Sequence, residues 1–535
     1  MRHRLWHFHG GLELPGHKGS STTRPALPAR LPRRVLLPLQ QHVGSPAEPL
    51  VTAGERVLKG QRVARATDFI SAHVHASTSG TVVDVGDHPV PHSSGLSAPC
   101  IVIEPDGEEE WTALEPVADA RALDPARVRN RIREAGIVGL GGAAFPTHVK
   151  LNPGPGRRIH TLILNGAECE PYITCDDMLL RERAREVLEG AQILCHAVDA
   201  RRCLIALEDD TPEAAARVDE ALAALDDPAL ERVTVPAVYP MGGEKQLIRV
   251  LTGQEVPSDG LPLDIGVLSQ NVATAYAVYR AIAHGEPLIS RYVTVTGDGV
   301  AEPRNLEALI GTPMADLIDQ AGGYRPDVDR LIMGGSMMGF ALATDEVPAV
   351  KGTNCVLAMT PRTAPRPGQA LPCIRCGECA AVCPARLLPQ QLYWYARARD
   401  FDEAQEHHLF DCIECGCCAH VCPSHIPLVQ YYRFAKSEIW ARERERRKAE
   451  VARLRYEARQ ERLERERRER AERSRRKQEA LRETQAEPAG EKKKAIEAAV
   501  ARVRARRGAA SDAAAPASED GAPEPGREDH GRGGR

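Results

Sequence analysis

Eight of the 15 cysteines fall in two runs of the same spacing, CIRCGECAAVCP beginning at Cys373 and CIECGCCAHVCP beginning at Cys412. Each reads C-x2-C-x2-C-x3-C-P. Three thiolates within seven residues can wrap one loop around three irons of a [4Fe-4S] cubane, which sends the fourth cysteine to a neighbouring cluster. The spacing therefore predicts crossed ligand sets. Cys373, Cys376, Cys379 and Cys422 would hold one [4Fe-4S] cluster, and Cys412, Cys415, Cys418 and Cys383 the other. Zinc sites pair C-x2-C units across a spacer of ~12 to 20 residues, a pattern that two complete four-cysteine runs do not follow. Cys417 occupies the slot held by Glu378 in the first run and reads as a spectator, while Cys100, Cys169, Cys175, Cys195, Cys203 and Cys355 lack ligand spacing and read as small buried apolar residues.

Two adjacent clusters make an electron relay, and a relay needs a donor. The stretch EAGIVGLGGAAFPTHVKL (134–151) offers a glycine-rich loop ahead of a short helix, where backbone N–H groups can approach a phosphate and Lys150 can supply charge. The loop NGAECEPYITCDD follows the strand-like TLILN and places Asn165, Glu168 and Glu170 at a strand's carboxyl end, where ligands of parallel sheets bind.

These loops require a scaffold. From about 125 to 285, short apolar runs (TLILN, RCLIALE, VTVPAVY) alternate with helical patterns (MLLRERAREVLEGAQILCHAV, TPEAAARVDEALAAL), which predicts a Rossmann-like α/β domain with a parallel sheet. Residues 1–105 carry strand-like RVLLPL, RVLKGQRVA and GTVVDV separated by turn residues, the pattern of a small all-β module. AEPLVTAGERVLKGQRVARATDFISAHVHASTSGTVVDV resembles the barrel-sandwich hybrid fold of biotinyl and lipoyl carriers. Such carriers need a modifiable lysine at the hairpin tip, but Asp68, Phe69 and Ile70 stand there, so a structural or docking role is expected. Residues 286–355 read as a β-grasp module with a glycine-broken strand (DRLIMGGSMMGFAL), 361–372 as a Pro-rich linker, and 373–435 as an α-helical two-cluster ferredoxin module.

The formal net charge of −4 is unevenly spread: residues 436–508 carry +11 and residues 1–435 carry −12. The basic stretch has too few apolar positions for a heptad seam and reads as a long solvated helix laced by i,i+4 ion pairs. It nearly lacks aromatic residues for base stacking, which argues against nucleic acid. Residues 509–535 have the composition of a disordered tail. No apolar run approaches the ~20 residues of a membrane span, and MRHRLWHFHGG lacks the apolar core of a signal peptide. The cytosol is the expected compartment, where regular cysteine spacing signals metal or cluster ligation rather than disulfides.

GLGGAAFPTHVK, NGAECEP, YPMGGEKQLIRVLTG and SQNVATAYAV, in that order, resemble the flavin- and NADH-binding subunit of respiratory complex I and of flavin-containing hydrogenases. That resemblance implies Gly139, Gly141, Gly142, Lys150, Asn165 and Asn271 for FMN, with Phe145, Glu168, Glu170, Gly242, Gly243 and Glu244 lining the nucleotide entrance and Glu168 and Glu170 as its catalytic acids. Two departures stand out: Ala167 occupies a position where the complex I protein has an acid, and that protein ends in one four-cysteine cluster rather than two.

FHGGLELPGHKGSST, the barrel-sandwich module, the nucleotide domain, the β-grasp (SLBB-like) module, the twin cluster motifs and the charged arm together resemble the RnfC/RsxC family of the Rnf/Rsx ion-translocating electron transport complex, over about residues 5 to 435. The resemblance implies a peripheral protein on the cytoplasmic face of the inner membrane, partnered by membrane-embedded and Fe–S subunits of the same complex. It would exchange electrons between NAD(H) and ferredoxin or other Fe–S carriers through FMN and two [4Fe-4S] clusters, while ion translocation belongs to other subunits. A flavin/Fe–S subunit of a soluble hydrogenase or dehydrogenase, and a non-catalytic Fe–S relay and docking subunit, are the other readings of these parts.

Overall fold

Leu162, Ile163 and Leu164 are all fully buried, a continuous apolar run that suits a strand covered on both faces. The run lies in the strand Thr161–Gly166 of a four-stranded, all-parallel sheet. Leu230–Val235 and Arg202–Glu208 lie to one side of it and Val267–Asn271 to the other. Chain direction across the sheet thus reverses between Thr161–Gly166 and Val267–Asn271, and such a switch point opens a crevice at the carboxyl ends of the two strands.

In a computed structural model the protein is described over residues 3–154, 156–364, 368–486 and 489–508. Part of the expected linker (365–367) and the expected disordered tail (509–535) lie outside the described residues. Residues Met1–Trp440 form one unit and Ala441–Arg535 a second. The architecture is multidomain α/β, with its elements in the order anticipated from the sequence.

Helix Cys175–Val198 covers the parallel sheet and packs against helix Val272–Tyr279. Gly190 permits the contact, since a Cβ there would lie 2.0 Å from the Ala275 carbonyl oxygen. Close packing of these helices brings together their amino ends, both of which open onto the crevice.

Strands Val35–Pro38, Arg56–Val57, Gly80–Pro89 and Ser97–Pro105 form one sheet of the N-terminal module, and Glu48–Pro49, Arg62–Arg65 and Val74–His75 the other. Val35, Leu37, Val57, Val63, Val82, Ile101 and Ile103 point into its core. The module is tighter than the 1–105 span expected from sequence, because the first 28 residues leave it. Trp6 N–H donates to the Val250 carbonyl, Gly11 N–H to Val382, and Leu12 exchanges backbone bonds with Tyr239. Leu27–Pro28 then adds an edge strand to the β-grasp sheet beside Arg304–Leu309. Strand Cys355–Met359 sits inside that same sheet, so it extends beyond the expected boundary at residue 355. The hairpin tip at Phe69 docks on the nucleotide domain: the Phe69 carbonyl meets His148 Nε2 at 3.1 Å.

The two cysteine runs fold alike. Arg375 and Glu414, Gly377 and Gly416, and Arg386 and His425 each pair at the same offset, and all six residues have left-handed φ between 51° and 85°. Each run then enters a helix, Pro389–Ala398 in the first half and Leu428–Ala486 in the second. The second helix starts before the expected arm at 436, and Tyr432, Ala435 and Ile439 are buried in the ferredoxin module's core. Lys436 also belongs to the module, its Nζ donating to the Cys412 carbonyl and the Glu414 carboxylate.

In the second unit, Val451, Leu454 and Leu463 are exposed, and Arg453–Glu457 and Arg475–Glu479 form i,i+4 pairs. These are the features of a solvated charged helix.

Candidate functional site

Asn165 and Asn271 stand in register at the carboxyl ends of adjacent parallel strands. The glycine loop closes over them: Gly139 N–H donates to the Phe145 carbonyl at 2.8 Å, Leu140 N–H donates to Thr274 Oγ1 at 2.9 Å, and Gly141 packs on the Asn271 side chain. Gly141 and Gly142 are solvent-exposed, and Gly142 holds φ 110°, which disfavours any residue with a side chain. Lys150 Nζ reaches the same strand end, donating to the Ser269 carbonyl at 2.8 Å and to Glu244 Oε1. Glu244 begins helix Glu244–Thr252, directly after Gly242 and Gly243.

Gly242 ties the loops together. Its carbonyl accepts from Asn165 Nδ2 at 2.9 Å, its N–H points at Cys169 Sγ, and a Cβ on it would stand 2.3 Å from the Ala167 carbonyl oxygen. Ala167 is itself buried, so contact with Gly242 is made through its backbone.

The two expected catalytic acids diverge. Glu168 is buried and accepts the Asp176 and Asp177 N–H groups at 2.9 and 3.1 Å, capping the amino end of helix Cys175–Val198. Burial, then the adjacent Asp176 carboxylate, push Glu168 up to about 8; burial pushes Asp176 up to about 6. Asn271 is committed on both sides, donating to Asp176 Oδ2 at 2.6 Å and capping its own helix by accepting from Ala273 N–H. Glu170 turns away to the β-grasp module, accepting the Met337 and Met338 N–H groups at 2.6 and 3.1 Å.

A pH dependence follows. Between the ordinary value of 4.5 and about 8, the folded chain keeps a proton on Glu168 that the unfolded chain has released. Stability therefore falls as pH rises through that window. Urea midpoints should drop between pH 5.5 and 8.5 by an equivalent of about 2–4 kcal/mol, at ~1.4 kcal/mol per unit of displacement. Glu168→Gln should flatten the trend.

The crevice fits a flavin phosphate and ring. Exposed glycine backbone and Lys150 provide for the phosphate, and two buried amide atoms, Gln246 Oε1 and Gln270 Nε2, lack a partner within the chain. Both lie on elements that end at the crevice.

In the ferredoxin module, Cys373, Cys376, Cys379 and Cys422 line a cavity of about 450 Å³, and Cys383, Cys412, Cys415 and Cys418 line a second, with Cys417 beside them. Among the described residues, Glu168, Cys175 and Asp176 are the set of three potential ligands drawn within 4.8 Å of one another, and no three motif cysteines form such a set. A tetrahedral zinc, with Zn–S near ~2.3 Å, draws its sulfurs closer than that. Wider spacing accommodates a cubane. Burial pushes the Cys412 thiol up to about 11, so deprotonation there relies on the positive charge of bound iron.

Several residues at these sites escaped the sequence reading. Asp176 lies within the loop NGAECEPYITCDD without standing out from it, Tyr239 opens YPMGGEK, and Lys18 reaches the carboxyl end of strand Arg202–Glu208 to pair with Glu208 and Asp210. The PGHKGSS motif marked that segment but gave no hint of its destination.

Models of known families match four stretches: the RnfC barrel sandwich hybrid domain at residues 6–108, the Nuo51 FMN-binding domain at 132–280, the SLBB domain at 292–341 and the 4Fe-4S dicluster domain at 372–426. A Salmonella gallinarum protein, named as the RnfC-type subunit of an ion-translocating oxidoreductase complex, is 45% identical over 509 residues, covering 95% of this chain and 74% of that protein. The chain belongs to the RnfC family. Relatives of the same name from Pseudomonas aeruginosa and Vibrio cholerae are 52% identical over 456 residues and 46% identical over 506, covering 85% and 94% of this chain. The chain spans 58% and 65% of the lengths of those two RnfC proteins. Like the family models it matches, the chain combines an FMN-binding domain with a dicluster [4Fe-4S] domain. Among the described residues no helix is long and apolar enough to cross a membrane.

Proposed function

We propose that this protein is the peripheral electron-transfer subunit of a membrane-bound, ion-translocating oxidoreductase complex, exchanging electrons between NAD(H) and Fe–S carriers such as ferredoxin. The observation that carries this reading is the placement, in one unit, of a phosphate-competent crevice at a sheet switch point and two four-cysteine cavities. Its place would be the cytoplasmic face of the inner membrane, against membrane-embedded and Fe–S partner subunits.

In this reading Gly139, Gly141, Gly142 and Lys150 hold the FMN phosphate, with Asn165 and Asn271 fixing the strand ends beneath the ring. FMN, when bound, accepts a hydride's two electrons and passes them on singly. Glu168, inclined to keep its proton near neutral pH, serves the nicotinamide side together with Phe145, Gly242, Gly243 and Glu244. Glu170 positions the acidic loop by its bonds to Met337 and Met338. The crossed cysteine sets hold the two [4Fe-4S] clusters.

Denaturing the purified chain should release one FMN, and NADH should bleach cluster absorbance beforehand. A chain with about eight irons that releases no flavin and ignores NADH would instead be a relay and docking subunit. Lys150→Met should weaken FMN binding roughly 10- to 100-fold, the loss of a charge-assisted bond of about 1.5–3 kcal/mol. Fluorescence titration of flavin-depleted protein checks this. A chain that stays wholly soluble in cells containing its candidate membrane partners would overturn the assignment to a complex.

A further inference from the structure

The two cysteine sets have unequal surroundings. Cys383, Cys415 and Cys418 are buried, and the cavity they line with Cys412 is closed in by the rest of the unit. Tyr239, from the same loop as Gly242, donates its hydroxyl to the Cys415 carbonyl at 2.6 Å, and His9 Nδ1 meets the Cys383 carbonyl at 3.0 Å. Lys245 pairs with Asp411, the residue before Cys412. The ring of Tyr239 packs with Cys415, Cys417, Met337 and Cys169, the last of these lying between Glu168 and Glu170. One buried side chain thus spans from the nucleotide loops to the second cysteine run.

The other set faces outward. Cys376 is exposed, and around it Ile374 is 68% exposed, Leu371 57% and Trp394 41%. These large apolar side chains stand beside exposed arginines: Arg375 lies between Ile374 and Cys376, and the Arg397 guanidinium lies 5.5 Å from the Trp394 ring centroid. An apolar centre with cationic neighbours suits a partner with an apolar centre and an acidic rim.

Building on the electron-transfer reading above, we propose that the two sets have fixed places in the relay. Cys383, Cys412, Cys415 and Cys418 hold the cluster that exchanges electrons with the nucleotide domain. Cys373, Cys376, Cys379 and Cys422 hold the one that exchanges them with a separate, acidic redox protein seated on Leu371, Ile374, Arg375 and Trp394. NADH oxidation yields NAD⁺, a proton and two electrons; each [4Fe-4S]²⁺ cluster takes one electron to become [4Fe-4S]⁺, and the outer cluster gives its electron to the partner's redox centre. Transfer in the opposite direction uses the same order.

The test uses the full chain with its clusters, freeze-quenched and read by electron paramagnetic resonance. In Cys412→Ser, dithionite should still reduce the outer cluster, whereas NADH should reduce it at least 100-fold more slowly than in wild type. In Cys376→Ser, NADH should reduce the inner cluster at the wild-type rate, but a reduced, acidic 2[4Fe-4S] ferredoxin used as probe should not reduce it. Arg375→Glu and Ile374→Glu should slow ferredoxin's reduction of the outer cluster at least tenfold while leaving dithionite reduction unchanged. Wild-type NADH reduction of the outer cluster in Cys412→Ser would overturn the order. Ferredoxin rates unmoved by both surface variants would overturn the docking surface. The ferredoxin measurements need neither NADH nor the Cys412 variant. A chain deaf to NADH therefore loses the NAD(H) reading while still testing the order from the outside, as does a Cys412 variant that fails to fold.

Discussion

Replacing Cys422 by alanine should remove the cluster built mainly by the first cysteine run, although Cys422 lies 39 residues beyond Cys383 in the second. The cavity lined by Cys373, Cys376 and Cys379 is completed by Cys422, while Cys383 lines the other cavity. Iron should fall from about eight to about four per chain, since a cubane denied one of its four thiolates in so open a cavity is readily lost. The surviving resonance should be that of the cluster held by Cys412, Cys415 and Cys418, and Cys383→Ala should give the converse spectrum. Loss confined to the second run's cluster in Cys422→Ala would mean that each run closes its own cluster.

Chemistry was more legible in the sequence than boundaries were. Cysteine spacing specifies a cluster because three ligands must share one loop, a purely local constraint. The parallel sheet was legible for a similar reason, as buried strands such as Thr161–Gly166 are apolar on both faces. What remained hidden was non-local. Nothing in FHGGLELPGHKG reveals that Gly10 lies against Val382, where a Cβ would come within 2.5 Å of backbone, or that Lys18 ends beside Glu208. Glu168 and Glu170 look equivalent in NGAECEP, yet one caps a helix and the other crosses to the Gly334–Gly339 loop. A two-residue separation places side chains according to the path of the loop between them, and tertiary contacts decide that path.

Gly242→Val should abolish flavin retention while sparing both clusters. A Cβ at this position would lie 2.3 Å from the Ala167 carbonyl oxygen and 3.3 Å from Cys169 Sγ, so the YPMGGEK and NGAECEP loops would have to separate. Overpacking of this kind costs about 1–3 kcal/mol, but the larger effect is geometric. Asn165 would lose its acceptor on Gly242, and Glu244, two residues on, would shift from Lys150. FMN should fall from near one per chain to below about a tenth, the consequence of losing several positioned contacts worth ~1 kcal/mol or more each. Iron should stay at about eight per chain, because the cysteine runs do not touch this contact. Gly19→Ala is the matched control: a Cβ there meets nothing within 4 Å, and flavin content should not change. Full flavin retention in Gly242→Val would mean that the acidic loop is not held by this contact, and that Ala167 tolerates a displaced neighbour as readily as it tolerates the absence of an acid.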